Sequence, residues 1–284
     1  TLDTRHVVHK AMEFMAKRLE HYSDGTMEIV IYPGGQLGSE REMIELLQIG
    51  SLAMTKVSAS PLEGFVPEMQ IFSIPYVMRD REHFWQVLNS EVGQGLLKKV
   101  ETVRLKGMGY YDAGSRSFYT TSGAINTPDD LIGKKIRVLN SPTAVATVKA
   151  LGGAATPIAW GELYAAIQQG VVDGAENNPP SYYLSRHYEI AKYYSLDEHT
   201  FVPDIILASL PVWKSLSAKQ QGWLSAAMAD SIEYQKSLWQ KASDEALVAV
   251  EKAGTVITYP DKKAFQDKVV DFHASFADSP VAEQ

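Results

Sequence analysis

The stretch AIQQGVVDG, residues 166–174, decides the fold because it repeats the pattern of an earlier stretch, LLQIGSLAM, residues 46–54. In both, a predicted helix ends in the pattern glutamine, any residue, glycine. A short extended segment of small residues follows. Around them, helical and extended stretches alternate along the chain. This alternation is typical of βαβ units in an open, largely parallel sheet, and its restart near residue 115 predicts two lobes of related design.

The composition is that of a globular protein large enough for two lobes. The 284 residues are 45% hydrophobic and 21% charged, and no apolar run approaches the length of a membrane-spanning helix. The formal net charge of −7 argues against nucleic acid or an anionic membrane as the main partner. The absence of cysteine excludes disulfides, thiolate metal sites and cysteine nucleophiles. No signal peptide is visible at Thr1, so we expect a cytosolic chain or a processed, mature one.

Local signals place individual elements. The segment MEIVIYP, residues 27–33, is predicted as a strand, and GKKIRVLN, residues 133–140, as another. Ser39, followed three residues later by Glu42, predicts a capping box at the start of a helix. From about residue 218 to about residue 253 a helical pattern continues, which at roughly 1.5 Å per residue gives a helix of about 50 Å. We expect this helix to run across both lobes as a spine.

Two arginines lie in strands of the second series. Arg137 lies among the apolar residues of GKKIRVLNS, residues 133–141, and Arg116 lies where the second series begins. A guanidinium keeps its proton, so a buried arginine needs an acidic partner or an anion, and its planar fork matches a carboxylate through two parallel hydrogen bonds. An arginine in a strand is ordinarily a structural salt bridge. Two of them in a two-lobed α/β chain favour an anionic small ligand.

Polar residues also gather at the end of one strand. The stretch DGAENNPPSYY, residues 173–183, ends a strand with Glu176, Asn177 and Asn178. Ligands of open α/β sheets bind beyond the carboxyl ends of strands. This rule fits Asn177, at a strand end, better than Arg116, which begins a strand. An asparagine pair is ordinarily a turn, and the two prolines after it are expected to forbid regular structure. Trp160, just before a helix, is either a core residue or a wall for sugar stacking.

No catalytic set can be assembled from the remaining candidates. His6 and His9 lie three residues apart on a helix without a carboxylate motif, so no metal site is predicted. His187 and His199 lie in polar stretches and are predicted to be surface or packing residues. The phosphate-loop, dinucleotide-binding, G-x-S-x-G and H-E-x-x-H motifs are absent from the sequence. We therefore expect no enzymatic activity and no cofactor.

Several linked stretches resemble, in order and spacing, the substrate-binding receptors of TRAP (tripartite ATP-independent periplasmic) transporters. They are GGQLGSEREMIELLQIGSLAM, GKKIRVLNS, WGELYAAIQQGVVDGAEN and VWKSLSAKQQGWL, and the resemblance covers nearly the whole chain. It implies a periplasmic-binding-protein-like α/β fold, in which two lobes with central sheets are flanked by helices, a hinge joins the lobes and the long C-terminal helix forms a spine. A ligand would be sealed between the lobes by closure.

The resemblance also implies domain boundaries and residue roles. Lobe I is expected to comprise residues 1–114 and 203–240, and lobe II residues 115–202 and 241–284. The resemblance implies that Arg137 is the family's carboxylate-binding arginine and that Asn177 is the asparagine that holds the same carboxylate. It likewise implies that Arg116 is a second, more variable pocket arginine and that Trp160 is an aromatic wall of the pocket. The other ligand-binding candidates are first-lobe polar residues and neighbours of the asparagine: Ser58, Ser60, Glu63, Glu176 and Asn178.

The string DGAENNPPSYYLSRHYEIAKYYSL looks most like the branch of the family that takes uronic or other sugar acids. We therefore expect a monomeric periplasmic receptor for a sugar acid, D-glucuronate or D-galacturonate first, that delivers it to the membrane subunits of a transporter. Two alternatives stay open. A receptor for a C4-dicarboxylate or keto acid would use Arg116 as a second cationic contact, and a cytosolic enzyme acting on an anionic metabolite would need a titratable base beside its ligand. Family members normally carry a strand just before the position of Thr1. We expect the inner position of the sheet that this strand occupies in the family to be left unaccounted for by the residues from Thr1 onward.

Overall fold

The structure of the protein is a computed structural model, and it describes residues 2–277. The helices are α1 (Val7–Tyr22), α2 (Glu40–Gln48), α3 (Ala59–Leu62), α4 (Arg81–Asn89), α5 (Glu91–Lys99), α6 (Pro142–Ala150), α7 (Leu163–Gln168), α8 (Pro179–Leu184), α9 (Leu210–Ser215), α10 (Ala218–Lys252), α11 (Lys262–Lys268) and α12 (Val270–Ala277). The strands are β1 (Met54–Ser58), β2 (Leu105–Tyr111), β3 (Ser115–Thr120), β4 (Lys135–Val138), β5 (Ala154–Pro157), β6 (Gly174–Asn177), β7 (Tyr193–Phe201), β8 (Asp204–Ser209) and β9 (Val256–Thr258). The chain divides into two compact units, each with its own sheet.

The first unit comprises the described residues up to Ser58, together with Val87–Ala113 and Pro203–Ala242. Its sheet has the strand order β1-β8-β2, and β8 is antiparallel to both neighbours. The prediction of a largely parallel sheet is therefore wrong for these strands, because the strand that comes last in the chain lies between the other two and runs the opposite way. The core of the unit is formed by side chains of α1, the sheet and α10.

The predicted strand at residues 27–33 is extended, but it pairs with no strand in the part of the chain that the structure describes. Its side chains alternate as in a strand: Met27 and Ile29 pack against the core, whereas Val30 and Tyr32 are more than half exposed. The hydrophobic period thus predicts the extended backbone correctly. A strand also needs a neighbour for its N–H and C=O groups, and the period of one segment carries no information on that neighbour.

The second unit comprises Ala59–Gln86, Gly114–Val202 and the described residues from Ser243 onward. Its six strands have the order β5-β4-β6-β3-β7-β9. The neighbours β5, β4 and β6 are parallel, and so are β7 and β9, whereas β3 is antiparallel to both β6 and β7. The start of β3 therefore lies at the same edge of the sheet as the carboxyl ends of β4 and β6, with Ser117 opposite Asn177.

Two apolar clusters cover opposite faces of this six-stranded sheet. One contains Phe118 of β3 with Ile136 and Val138 of β4, and we call it the Phe118 face. The other contains Tyr119 of β3 and Ala175 of β6, and we call it the Tyr119 face. Because successive strand residues point to opposite sides of a sheet, this assignment fixes the face of the polar strand residues as well.

The segment 59–86 packs within the second unit, although the sequence places it in lobe I. Its contacts give the reason: the backbone N–H of Tyr76 donates to the carbonyl of His199 at 2.7 Å, and the Glu63 carboxylate accepts the Thr143 hydroxyl at 2.6 Å. These partners are far away in sequence, so no local sequence pattern predicts the contacts. The ends of the predicted lobes, residues 1 and 278–284, lie outside the described residues.

Local helix signals are mostly confirmed. Ser39 and Glu42 form the predicted capping box at α2, and α10 is a 35-residue helix close to the predicted bounds. The prediction that the prolines after Asn178 forbid regular structure is wrong, because they begin α8. Proline is tolerated in the first helical turn, where its missing N–H would have no intrahelical partner, and the side chain of Asn178 caps that turn.

Candidate functional site

Arg137 is among the largest fully buried side chains of the protein, with 1% of its surface exposed. Its neighbours on either side in β4 belong to the Phe118 face, so its own side chain lies on the Tyr119 face. Its Nε–H donates to the carbonyl oxygen of Ile158 at 2.8 Å. The guanidinium carbon lies 5.7 Å from the ring centroid of Trp160, within the range of a cation–π attraction. The structure thus brings two of the predicted ligand residues together.

Neutral aromatic groups surround this guanidinium. His187 is buried; its ring centroid lies 5.1 Å from that of Trp160, and its Nδ1 lies 2.8 Å from the hydroxyl of Tyr119. Burial, helped by the positive charge of Arg137, lowers the pKa of His187 to about 3, so the imidazole is uncharged at neutral pH. Burial raises the pKa of Tyr119 above its ordinary value. A positive charge beside apolar rings suits a carboxylate ligand that carries a stackable sugar ring.

Asn177, the last residue of β6, has a side chain whose orientation is fixed by its neighbours. Its Oδ1 accepts from Nη1 of Arg116 at 3.2 Å and from the backbone N–H of Asn178 at 2.8 Å. Two donors on one atom identify that atom as the amide oxygen and place the NH2 group at the other end. Within residues 2–277, the structure gives Nδ2 no hydrogen bond. The amide therefore presents a donor that suits a carboxylate oxygen.

Arg116 binds an internal carboxylate. Its Nε and Nη2 both donate to the carboxylate of Glu176, with Nη2 2.9 Å from Oε1, and Nη2 also donates to the Glu176 carbonyl at 2.8 Å. Both residues are at least 95% buried. The antiparallel direction of β3 explains how a residue at a strand start meets residues at a strand end, which the rule about carboxyl ends does not cover. The role of Arg116 in direct ligand contact stays a prediction.

His199 joins this ion pair, although the sequence gives it no role beyond surface or packing. Its Nδ1 lies 2.8 Å from Oδ2 of Asp197, its Nε2 lies 3.7 Å from Oε2 of Glu176, and its ring stacks on Phe118. Burial opposes the charged imidazolium, but attraction to Asp197, the hydrogen bond to Asp197 and the nearby Glu176 carboxylate outweigh it and raise the pKa of His199 to about 9. Burial likewise opposes ionisation of Glu176, but Arg116 and His199 hold its pKa at about 2.

A small cavity lies beside this charged cluster on the Phe118 face. Its lining is mixed, with apolar residues of β4 and α6 opposite the polar groups. The polar lining residues are Ser60, Ser73, Arg116, Thr147, Glu176, His199 and Thr200. The hydroxyls of Ser60 and Ser73 lie 2.6 Å apart, and the Thr147 hydroxyl donates to the Ser73 carbonyl at 3.2 Å. Of the predicted first-lobe residues, Ser60 is thus close to the arginine cluster.

Glu63, a predicted ligand residue, is held at the start of α6. Its carboxylate accepts from the hydroxyl of Ser141 and from both the N–H and the hydroxyl of Thr143. A carboxylate is stabilised at a helix N-terminus by the exposed N–H groups and the helix dipole. Its present partners therefore give Glu63 a structural role in joining the segment 59–86 to α6.

Two further predicted residues also have internal partners. Ser58 lies in the first unit, where its N–H donates to Glu40 at 2.9 Å and its hydroxyl lies 3.3 Å from carboxylate oxygens of Glu40 and Asp204. Asn178 caps α8 by accepting the N–H of Ser181 at 2.9 Å. Across residues 2–277, no group of three or more His, Cys, Asp or Glu side chains could hold a metal ion, and no helix could cross a membrane.

The free energy of unfolding is expected to fall as the pH rises from about 6.5 to about 9, because of His199. The folded-state pKa is raised from 6.5 to about 9, so the imidazolium contributes its full stabilisation below pH 6.5 and loses it as the pH passes 9. Urea denaturation at half-unit pH steps measures this slope. His199→Gln should flatten the curve in this window, whereas His21→Gln, at an exposed position of α1, should leave it unchanged. An equal slope in wild type and His199→Gln would contradict the assignment.

Comparisons with known proteins bear on the whole chain. A family model for bacterial extracellular solute-binding proteins, family 7 (DctP), matches residues 1–279. A TRAP periplasmic solute-binding protein from Xanthobacter autotrophicus, solved with bound β-D-galacturonate, is 35% identical, with a TM-score of 0.95 and coverage of 99% of this chain and 95% of that one. One from Pseudomonas putida with bound D-glucuronate is 34% identical, with a TM-score of 0.93 and coverage of 98% and 92%. One from a Polaromonas species bound to D-erythronate is 30% identical, with a TM-score of 0.96 and coverage of 100% and 94%.

Proposed function

Because the chain belongs to the bacterial extracellular solute-binding proteins of family 7 (DctP), we propose that it is a receptor for a monocarboxylated sugar acid, with D-glucuronate and D-galacturonate first. The observation that carries the proposal is Arg137, a guanidinium 1% exposed beside the half-buried ring of Trp160. A uronate supplies a carboxylate for the fork and an apolar sugar face for the ring. The galacturonate, glucuronate and erythronate bound by similar proteins support the same ligand class.

Each residue of this site has a separate role in the proposal. Arg137 binds the carboxylate in a bidentate way through its Nη1–Nη2 edge, since Ile158 takes its Nε–H. Asn177 donates a hydrogen bond from Nδ2 to the same carboxylate, and Trp160 stacks on the sugar ring. The polar residues proposed to contact hydroxyls, some of them after a change of partner, are Ser58, Ser60, Glu63, Glu176 and Asn178.

The receptor is proposed to act in the periplasm, as a monomer, and to deliver its ligand to the membrane subunits of a TRAP transporter without a chemical step. The family match supports a receptor over a cytosolic enzyme. The alternative of a C4-dicarboxylate receptor needs a second cationic contact. Arg116 is the candidate for this contact, and Glu176 neutralises its charge, which favours a ligand with one carboxylate.

A thermal-shift screen followed by calorimetry tests the ligand class. We expect D-glucuronate or D-galacturonate to raise the melting temperature, because a ligand that binds only the folded state at about 100 times its Kd adds about 2.7 kcal/mol of stability. D-glucose, which has a similar ring without the carboxylate, is the matched control and should give no shift. A shift with succinate or malate in place of the uronates would support the dicarboxylate alternative. No shift with any sugar acid would refute the proposal.

A further inference from the structure

The two arginines predicted to meet the ligand lie on opposite faces of the six-stranded sheet. Arg137 lies on the Tyr119 face, together with Trp160. Arg116 lies on the Phe118 face, where it lines the cavity that Val138 and Val148 also line. The two guanidiniums therefore leave the sheet on different faces. At the strand end Arg116 contacts Asn177, and the register of the sheet puts the Asn177 side chain on the same face as Arg137.

Asn177 connects the two faces. It follows Glu176 in β6, so the alternation of the strand directs its side chain to the Tyr119 face, with Arg137. At this last position of the strand its Oδ1 still lies 3.2 Å from Nη1 of Arg116. One end of the amide therefore contacts the buried ion pair, and the other end carries the NH2 donor.

We infer that Arg116 is a positioning residue that acts on the ligand through Asn177, by fixing which end of the amide the ligand meets. The inference rests on the proposed function. If the amide turned over, its NH2 group would face the N–H donors of Arg116 and Asn178, and donors repel one another. The wild-type arrangement therefore keeps Oδ1 toward the ion pair and offers Nδ2–H to a carboxylate oxygen.

The ion pair around Arg116 fixes the orientation of the Asn177 amide, whose Nδ2–H is the donor offered to the ligand. Glu176 binds the guanidinium through both carboxylate oxygens, so the fork is fixed in its plane. His199 and, behind it, Asp197 are fixed in turn by contacts with Glu176 and with each other. The positive charge of Arg116 is matched within this cluster, and what reaches the ligand is a neutral amide. The site thus supplies one cation for one carboxylate.

A double-mutant cycle tests the inference. Calorimetry with D-glucuronate and D-galacturonate would be run on wild type, Arg116→Lys, Asn177→Ala and the double variant. Lysine keeps a cation for Glu176 but lacks the planar fork that contacts both neighbours. We expect Asn177→Ala to weaken binding by roughly 10- to 100-fold and Arg116→Lys by about tenfold. If Arg116 acts through Asn177, the double variant should stay within about twofold of Asn177→Ala.

Additive losses in the double variant, with wild type still binding, would show direct ligand contact by Arg116 and overturn the inference alone. Wild-type protein that binds no uronate would refute the proposed function, and the inference with it. Arg186→Lys, an exposed arginine paired with Glu189, controls for the exchange itself and should leave affinity unchanged. If Arg116→Lys fails to fold, the paired change Arg116→Gln with Glu176→Gln, which replaces the ion pair by two amides, takes its place in the cycle.

Discussion

Replacing Arg137 by alanine is expected to abolish uronate binding within the range that calorimetry measures. Truncating one partner of a desolvated charge pair costs about 2–5 kcal/mol, which corresponds to roughly 30- to 5,000-fold in Kd. Arg137→Lys should lose at least about tenfold, because the compact ammonium cannot reproduce two parallel hydrogen bonds to a carboxylate. The measurement is calorimetric titration of each variant with D-glucuronate and D-galacturonate.

Folding has to be separated from binding in this experiment, because Arg137 is 1% exposed and its Nε–H satisfies the Ile158 carbonyl. Each variant therefore needs a thermal melt without ligand. Arg186→Ala removes an exposed arginine from the same unit, and it should change neither the melt nor the affinity appreciably. A lysine at position 137 with near wild-type affinity would refute bidentate binding, and an alanine there with near wild-type affinity would remove Arg137 from the site.

The sequence predicts those features of the fold that depend on neighbouring residues. The period of apolar side chains gives the extended backbone at residues 27–33 and the strand around Arg137, and capping chemistry gives the start of α2 at Ser39. Strand pairing depends on residues far away in the chain. The antiparallel neighbours of β8 and β3 therefore escaped prediction, and so did the packing of segment 59–86 in the second unit.

The candidate site shows the same division between local and distant information. Residue type and resemblance point to Arg137, Asn177 and Trp160, and the structure places Arg137 beside Trp160. The partner of Arg116 could not be read from the sequence, because β3 and β6 meet only through an antiparallel pairing some sixty residues apart. His199 has a local partner that its sequence position already suggests: the carboxylate of Asp197, two residues earlier in β7, lies 2.8 Å from its Nδ1.

Glu176→Leu is expected to destabilise the protein by about 3–5 kcal/mol, because it leaves the buried guanidinium of Arg116 without its carboxylate. Leucine has a similar volume, so the loss reports the charge and not a cavity. Urea denaturation at pH 7 measures it. The wild-type pKa of Glu176 is lowered from 4.5 to about 2, so the carboxylate stabilises the fold above pH 4.5 and loses this effect as the pH falls through 2. The difference between wild type and variant should therefore shrink in acid.

Two further variants show whether the loss of stability in Glu176→Leu comes from the unpaired charge of Arg116 or from the loss of the ion pair itself. Replacing both partners, Arg116→Met with Glu176→Leu, should recover much of the lost stability, because no charge then has to be desolvated. Glu189→Leu breaks the exposed pair with Arg186 and should cost only about 0–1 kcal/mol. A loss at Glu176 no larger than that at Glu189 would mean that the cluster is open to water. If stability returns in the double variant while uronate affinity does not, the ion pair serves ligand binding and is not needed to hold the sheet together.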